Sequence, residues 1–331
     1  LRAVLTNLLS VALLGSLGVE SVRGADFPEW AYPPCDRTPD AIKPDSSRPL
    51  SVPGSKLHFT AADLARVSIT PDWFPLEHAR LPPVVAGSHS DKKIACGYCH
   101  LPDGAGRPEN AKIAGLPVAY IIAQVRSIHE QERRPAKPGW PPSTLMKDAI
   151  ADLSDQDIAE AAEYFSRQKV KSYVRVVERE FVPQHGVLCG IFIPAEGPVT
   201  LLHQAILEMP IDAERFERRD PHAEFIAYVP KGSVARGRKL ASGDDGRTQP
   251  CVACHGAELR GGPEFEGPPL AGRFASYLFR QLYGFKSDAR AGGSAQPMQT
   301  VVATLAPADM IDLAAYAASL KPQISSRRLA K

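Results

Sequence analysis

Two stretches of the chain, "ACGYCH" ending at His100 and "PCVACHG" around His255, set a pair of cysteines three positions apart with a histidine directly after the second. Thiols at this spacing can add to the two vinyl groups on one edge of a haem, while the adjoining imidazole reaches the iron from the same side. Cys96, Cys99 and His100 make the first set; Cys251, Cys254 and His255 make the second. A zinc ribbon also pairs C-x-x-C units, but its halves lie ~15 to 20 residues apart, whereas Cys96 and Cys251 stand 155 positions apart. A dithiol redox pair needs a strand leading into the motif within a βαβ unit, and neither motif has a β-branched approach. The expected cofactors are therefore two covalently bound haem c groups, one per motif.

A duplicated plan should repeat other residues at nearly the same offset, and it does. "IAGLPVAYIIAQ" from Ile113 aligns with "LAGRFASYLFRQ" from Leu270, pairing Tyr120 with Tyr277 and Gln124 with Gln281. "LSDQDIAEAAEYF" from Leu153 aligns with "LAPADMIDLAAYA" from Leu305. Tyr and Gln four apart share one helix face, which places Tyr120, Gln124, Tyr277 and Gln281 beside the haems. A histidine-bound iron needs a ligand on its other face, and its identity separates carrier from catalyst. Beyond His255 there is no further His or Cys, only Met298 and Met310. Met310 falls on a core stripe with Leu313, Ala314 and Ala317, and its counterpart is Ile158. Met298 follows a loop and aligns with Met146; both precede the last-helix block by the same seven positions. His129 is the local rival of Met146, but it has no counterpart, since Lys286 occupies that place. Met146 and Met298 are the expected sixth ligands, and Met209, outside both repeats, is expected to be packing.

The positioning elements follow from the pattern along 331 residues, 44% hydrophobic and 23% charged. Residues 1–25 read as a secretory signal peptide, with an uncleaved membrane anchor as the alternative. Residues 26–80 are a Pro-rich extension of turns and extended backbone, expected to wrap the first haem domain at 81–168. A connector at 169–231, with the β-branched stretches "YVRVVEREFVP" and "GVLCGIFIP", is expected to hold strands. The second haem domain covers 232–322, and a basic tail covers 323–331. The fold class is mainly α, two haem domains joined by an extended, β-containing connector. Ser154 and Asp157 have the spacing of a capping box, and Pro307 takes the matching first turn of the second copy. Each domain is small, so porphyrin should centre its packing and neither should fold well without it. Thirty-nine basic against 37 acidic residues leave no electrostatic footprint for nucleic acid. Cys35 and Cys189 remain, either as a disulfide suited to an oxidising compartment, as buried thiols, or as an iron ligand.

The two blocks, "CGYCH…AKIAGLPVAYIIAQ…M…LSDQDIAEAAEYF" and "CVACHG…PPLAGRFASYLFRQ…M…DMIDLAAYAASL", resemble the class I c-type cytochromes, specifically the dihaem, cytochrome c4-like type. The resemblance implies two all-α domains with haems near their interface, axial pairs His100/Met146 and His255/Met298, and a periplasmic electron carrier serving redox protein partners. Membrane association would run only through the N-terminal segment. It also implies that the Pro268 carbonyl accepts the ring N–H of His255. The first copy has Ala111 in that place, so its counterpart bond should come from a less fixed carbonyl. An electron carrier is favoured over an enzyme; the alternative is a dihaem oxidoreductase, peroxidatic or sulfur-oxidising, with one iron open or bound by Cys.

Overall fold

A computed structural model describes residues 27–35, 47–88, 93–262 and 267–322. The leader and the basic tail lie outside the described residues. The chain enters as a strap, residues 27–35, with one 3-10 turn at Glu29–Ala31. Strands β1 (Pro49–Leu50) and β2 (Phe59–Thr60) pair antiparallel and lead into a short helix, α1 (Ala61–Ala65). This helix sits where only turns and extended backbone were expected. Its signal was the T-x-x-D spacing: Asp63 N donates to Thr60 Oγ1 at 3.1 Å and Thr60 N donates to the Asp63 carboxylate at 2.8 Å. A single turn, α2 (Pro83–Ala86), follows.

Residues 47–88 lie against the first motif, as Tyr98 OH donating to Leu64 O at 3.3 Å illustrates. The strap departs from the expected wrapping of the first half alone. Its Trp30 ring lies 4.5 Å from Phe279, and Arg280 donates to Ala31 O at 3.1 Å. Trp30 thus finds its buried partner on the second half, while Tyr32 meets Trp140 on the first.

The first helical unit comprises α3 (Cys96–His100), α4 (Val118–His129), α5 (Pro141–Ile150) and α6 (Asp155–Ser166). Helix α6 opens on the capping box that its sequence spacing predicts, with bonds of 3.0 and 3.2 Å between Ser154 and Asp157. Val85, Leu116, Ile121, Ala162 and Phe165 close its core.

Between the units run β3 (Val174–Glu178), β4 (Phe181–Val182), β5 (His185–Leu188), β6 (Ile191–Pro194), β7 (Thr200–Leu201), β8 (Leu207–Pro210), α7 (Ala213–Glu217) and β9 (Phe225–Val229). Both β-branched stretches of the connector are strands. They build two antiparallel pairs, β4–β7 and β5–β6, and a three-stranded sheet of order β3-β9-β8 in which β3 and β9 are parallel. Met209, on β8, is buried against Val182, Leu202 and Leu207.

The second unit comprises α8 (Ser233–Ser242), α9 (Cys251–His255), α10 (Ala275–Lys286), α11 (Gln296–Val302) and α12 (Pro307–Ser319). Helices α8 and α12 meet at Gly237, where a Cβ would stand 1.9 Å from Asp312 O. Only hydrogen fits between the two backbones there. Arg236 secures the crossing with bonds of 2.7 and 2.9 Å to the Asp312 carboxylate. Met310, Leu313, Ala314 and Ala317 are all buried, which is the stripe read from their spacing. Among the described residues no single helix is long and apolar enough to cross a membrane.

Candidate haem sites

Each C-x-x-C-H motif occupies one helical turn, α3 or α9, and the chain then leaves through positive φ, 64° at Leu101 and 78° at Gly256. His100 Nδ1 lies 2.8 Å from Ala111 O, and His255 Nδ1 lies 2.8 Å from Pro268 O. A carbonyl can only accept, so Nδ1 carries the proton in both rings and Nε2 keeps its lone pair for a metal. Burial holds both imidazoles below the ordinary histidine range, which keeps them neutral and competent to ligate. The first copy uses the carbonyl of Ala111 itself, at the same distance that proline provides in the second. A glycine fixes it: Gly106 has φ +64°, and a Cβ there would come within 2.4 Å of Ala111 O. In the second copy the close neighbour is Gly267, where a Cβ would stand 2.5 Å from His255 Nδ1.

Burial pushes the Cys96 thiol up to about 12 and the Cys251 thiol up to about 11. A disulfide-exchanging C-x-x-C needs the opposite shift. A cavity of 660 Å³ opens beside α3, walled by Cys96, Cys99, His100, Tyr120, Gln124 and Met146 among others. That volume is within the ~300–1,000 Å³ usual for cofactor sites. The wall takes Ile128 from the end of α4, not His129. In the second unit Cys251 and Met298, both half-buried, border one apolar core with Leu305, Met310 and Phe279. His255 is buried and Cys254 is exposed.

Tyr277 and Gln281 reach across to the first unit, a placement beyond their expected service to the second haem. Arg133 donates to Gln124 at 2.8 Å, to Tyr277 OH at 3.0 Å and to Gln281 at 2.9 Å. Arg290 answers with bonds to Gln124 at 2.7 Å and to Gln281 at 3.2 Å. The two arginines stand at the same offset as the two glutamines, so carrying the repeat alignment nine residues further along the sequence would have found them. Among the described residues no carboxylate lies within ion-pairing distance of either arginine. Burial and the neighbouring Arg133 charge pull Arg290 down to about 10. Burial alone would push the Tyr277 phenol up, but Arg133, Arg290 and Arg273 outweigh it and bring the phenol below its ordinary range.

Two half-buried cations side by side without a protein anion are costly to maintain. The carboxylates of a haem are the anions this arrangement suits, and Arg133, Arg280 and Arg290 all line the first cavity. Glu109, the acid on that wall, is committed to Arg107 at 2.9 Å. Thiols, imidazole, thioether and uncompensated guanidinium groups thus fit haem c. Cys35 and Cys189 are bonded to each other, which leaves neither thiolate free for iron.

These features are those of two covalent haem c attachment sites. Residues 234–321 match the family described as Cytochrome c. The chain is homologous to the cytochromes c4, which are dihaem class I c-type cytochromes. It is 26% identical over 238 residues to cytochrome c4 of Azotobacter vinelandii, covering 70% of this chain and 87% of that protein. Against cytochrome c4 of Pseudomonas aeruginosa it is 24% identical, covering 70% and 86%. Among solved structures it is similar to thiosulfate dehydrogenase (TsdBA) from Marichromatium purpuratum, at TM-score 0.45 and 25% identity, covering 72% of this chain. The chain spans only 39% of that structure.

Proposed function

We propose that the chain is an exported, periplasmic carrier of single electrons, working between a donor and an acceptor of a respiratory or dehydrogenase chain. In this reading residues 81–168 and 232–322 are the two haem domains, 169–231 connects them, and 1–25 directs export. His100 and Met146 hold one iron, and His255 and Met298 hold the other. Bound haem supplies one-electron iron chemistry. Cys96, Cys99, Cys251 and Cys254 anchor the two groups through thioether bonds, and the carbonyls of Ala111 and Pro268 orient the proximal rings. Arg133 and Arg290 neutralise haem carboxylates at the interface and hold the edges of the two sites together.

One observation supports the reading: Met146 and His100 line the same cavity, and His129 does not. Two protein ligands per iron leave no position for substrate, and thioether ligation raises the reduction potential. A redox titration followed by absorption spectra tests this. Two low-spin haems are expected, each with a Met-to-iron charge-transfer band. Met146→Ala should remove one band and Met298→Ala the other. A high-spin iron in the unaltered protein, or ready carbon monoxide binding when reduced, overturns the reading in favour of a dihaem enzyme.

A further inference from the structure

Helix α5, which carries Met146, begins at Trp140, and that residue is gripped from outside its own helical unit. Trp140 is the N-cap residue of α5 and is 4% exposed. Its Nε1 donates to Pro33 O at 2.9 Å. The Tyr32 ring meets it edge-on at 5.5 Å, and the Arg280 guanidinium lies over its face at 4.7 Å. The loop just before it is tied to the same strap by Lys137, which donates to Glu29 at 3.0 Å. From the other side comes the turn between β5 and β6. Gly190 N donates to Pro34 O at 3.0 Å. At φ +88°, a Cβ on Gly190 would lie 2.9 Å from Pro142 Cγ and 3.5 Å from the Trp140 ring. The Cys35–Cys189 disulfide closes the loop of chain that joins strap and turn. The second unit is held differently: α11, which carries Met298, starts at Ala295, whose N–H bonds to Gly292 O at 3.1 Å. Its loop meets the first unit through Ala291 N to Glu132 O and Arg134 N to Ala289 O, both at 2.7 Å, with no bond to the strap among the described residues.

We propose that the strap and the β5–β6 turn, latched by Cys35–Cys189 and bearing on Trp140, position Met146 as the sixth ligand of the first haem. This rests on the reading of Met146 as that ligand. Helix α5 has one face on the cavity and its first turn under the clasp, so a displacement of Trp140 is transmitted to Met146 less than two turns along. A clasp that binds only the ligated arrangement shifts the balance between bound and open iron toward bound. The second iron, whose ligand helix starts from a loop anchored to Glu132 and Arg134 instead of the strap, is outside the reach of the clasp. Tyr32 and Trp140 are positioning residues, since each acts on the ligand through α5.

The test uses the full haem-loaded protein with both Cys35→Ser and Cys189→Ser, and separately Trp140→Phe, which keeps the ring but loses the Pro33 bond. Haem content and far-ultraviolet circular dichroism report whether each variant folds. The readouts are the methionine charge-transfer band, the proton resonances of the ligating methionine methyls, and carbon monoxide uptake by the reduced protein. We expect both variants to keep two haems and the signals of Met298. The open fraction of the first iron should rise about tenfold or more, read as a matching rise in apparent carbon monoxide affinity at that iron alone. Met146→Ala serves as the reference for a fully open first iron. If Met146→Ala removes a band but both clasp variants keep it at full strength and take up no more carbon monoxide than the unaltered protein, the inference fails. If Met146→Ala changes nothing, the ligand assignment itself fails. A clasp variant that perturbs both irons equally also refutes selective positioning.

Discussion

The two helical units carry the same attachment chemistry inside different shells. The second packs α8, ten residues long, across α12 at Gly237, and α10, α11 and α12 share one core with the strap, Trp140 and the β3–β9 pair. In the first, the place of α8 is taken by α2, a single turn of four residues, and the missing wall is borrowed. Trp73 Nε1 donates to Arg218 O at 2.7 Å. Arg219 donates to Tyr98 O at 2.8 Å while its guanidinium lies 3.5 Å over the Tyr98 ring. The strap grips α5. A covalently anchored haem is compatible with either shell, because the thioether bonds and the proximal ring demand only a short helix and one carbonyl. The match to the Cytochrome c family falls on residues 234–321, the unit that carries the long α8.

The sharpest way to break this contrast is Gly237→Ala. A Cβ 1.9 Å from Asp312 O must part α8 from α12, at a cost of about 3 kcal/mol or more. Denaturant unfolding followed at each haem should show the second unit weakened and the first spared. Val85→Ala in α2 should cost about 2 kcal/mol and weaken the first unit instead. Equal responses of the two haems to both substitutions would mean that the shells are not independent.

Lys112 probes the seam between the halves. It is 1% exposed and donates to Lys171 O and to Gly272 O, both at 2.8 Å. Burial and the nearby Arg273 charge pull its ammonium down to about 7, against about 10.4 in an unfolded chain. Between those values the unfolded chain holds the proton and the folded one does not. Its contribution therefore makes stability rise with pH from about 7 to about 10 and level off above. Lys112→Met should remove that rise, as denaturation midpoints across the range would report. An identical slope in both proteins would place the titration elsewhere.

Arg133→Gln and Arg290→Gln sharpen the contrast from the opposite direction, since these residues are equivalent across the repeat. Each removes a half-buried positive charge that favours the electron-rich iron, so both midpoint potentials should fall, on the order of 50 mV. The two substitutions should act almost alike. A shift confined to one haem would show that the interface is less symmetrical than its hydrogen bonds. The smallest effect is expected from Pro268→Ala. The carbonyl that accepts from His255 is kept and only backbone pre-organisation is lost, so stability should fall by about 0.5–1 kcal/mol with unchanged spectra.

Much of this was legible in the chain because covalent chemistry imposes spacing. Two thiols and an imidazole within five residues have few uses, and the repeat carried Tyr120, Gln124 and their partners along with it. Helix α6 announced its start through Ser154 and Asp157, and the Met310 stripe announced its own burial. The strap's destination did not show in this way. Trp30 and Tyr32 are hydrophobic anywhere, and only tertiary placement brings them to Phe279 and Trp140. Tyr277 was read as a neighbour of its own haem because periodicity assigns a face to a residue but not the unit that the face meets. The Cys35–Cys189 disulfide was one of three readings, since a separation of 154 positions constrains nothing until the β5–β6 turn is placed.

The parallel pairing of β3 with β9 has one further consequence. The chain leaves the first unit along one strand and enters the second along its hydrogen-bonded neighbour, with Val174 opposite Phe225 and Glu178 opposite Val229. The exit from the first unit and the entry to the second are thereby held on adjacent strands, roughly 4.8 Å apart, whatever the length of polypeptide looped out between them. Hairpins in that loop are free to lengthen, shorten or change their outer surface without altering how that exit and entry are paired. Recognition of redox partners and internal conduction are in this way free to diverge separately.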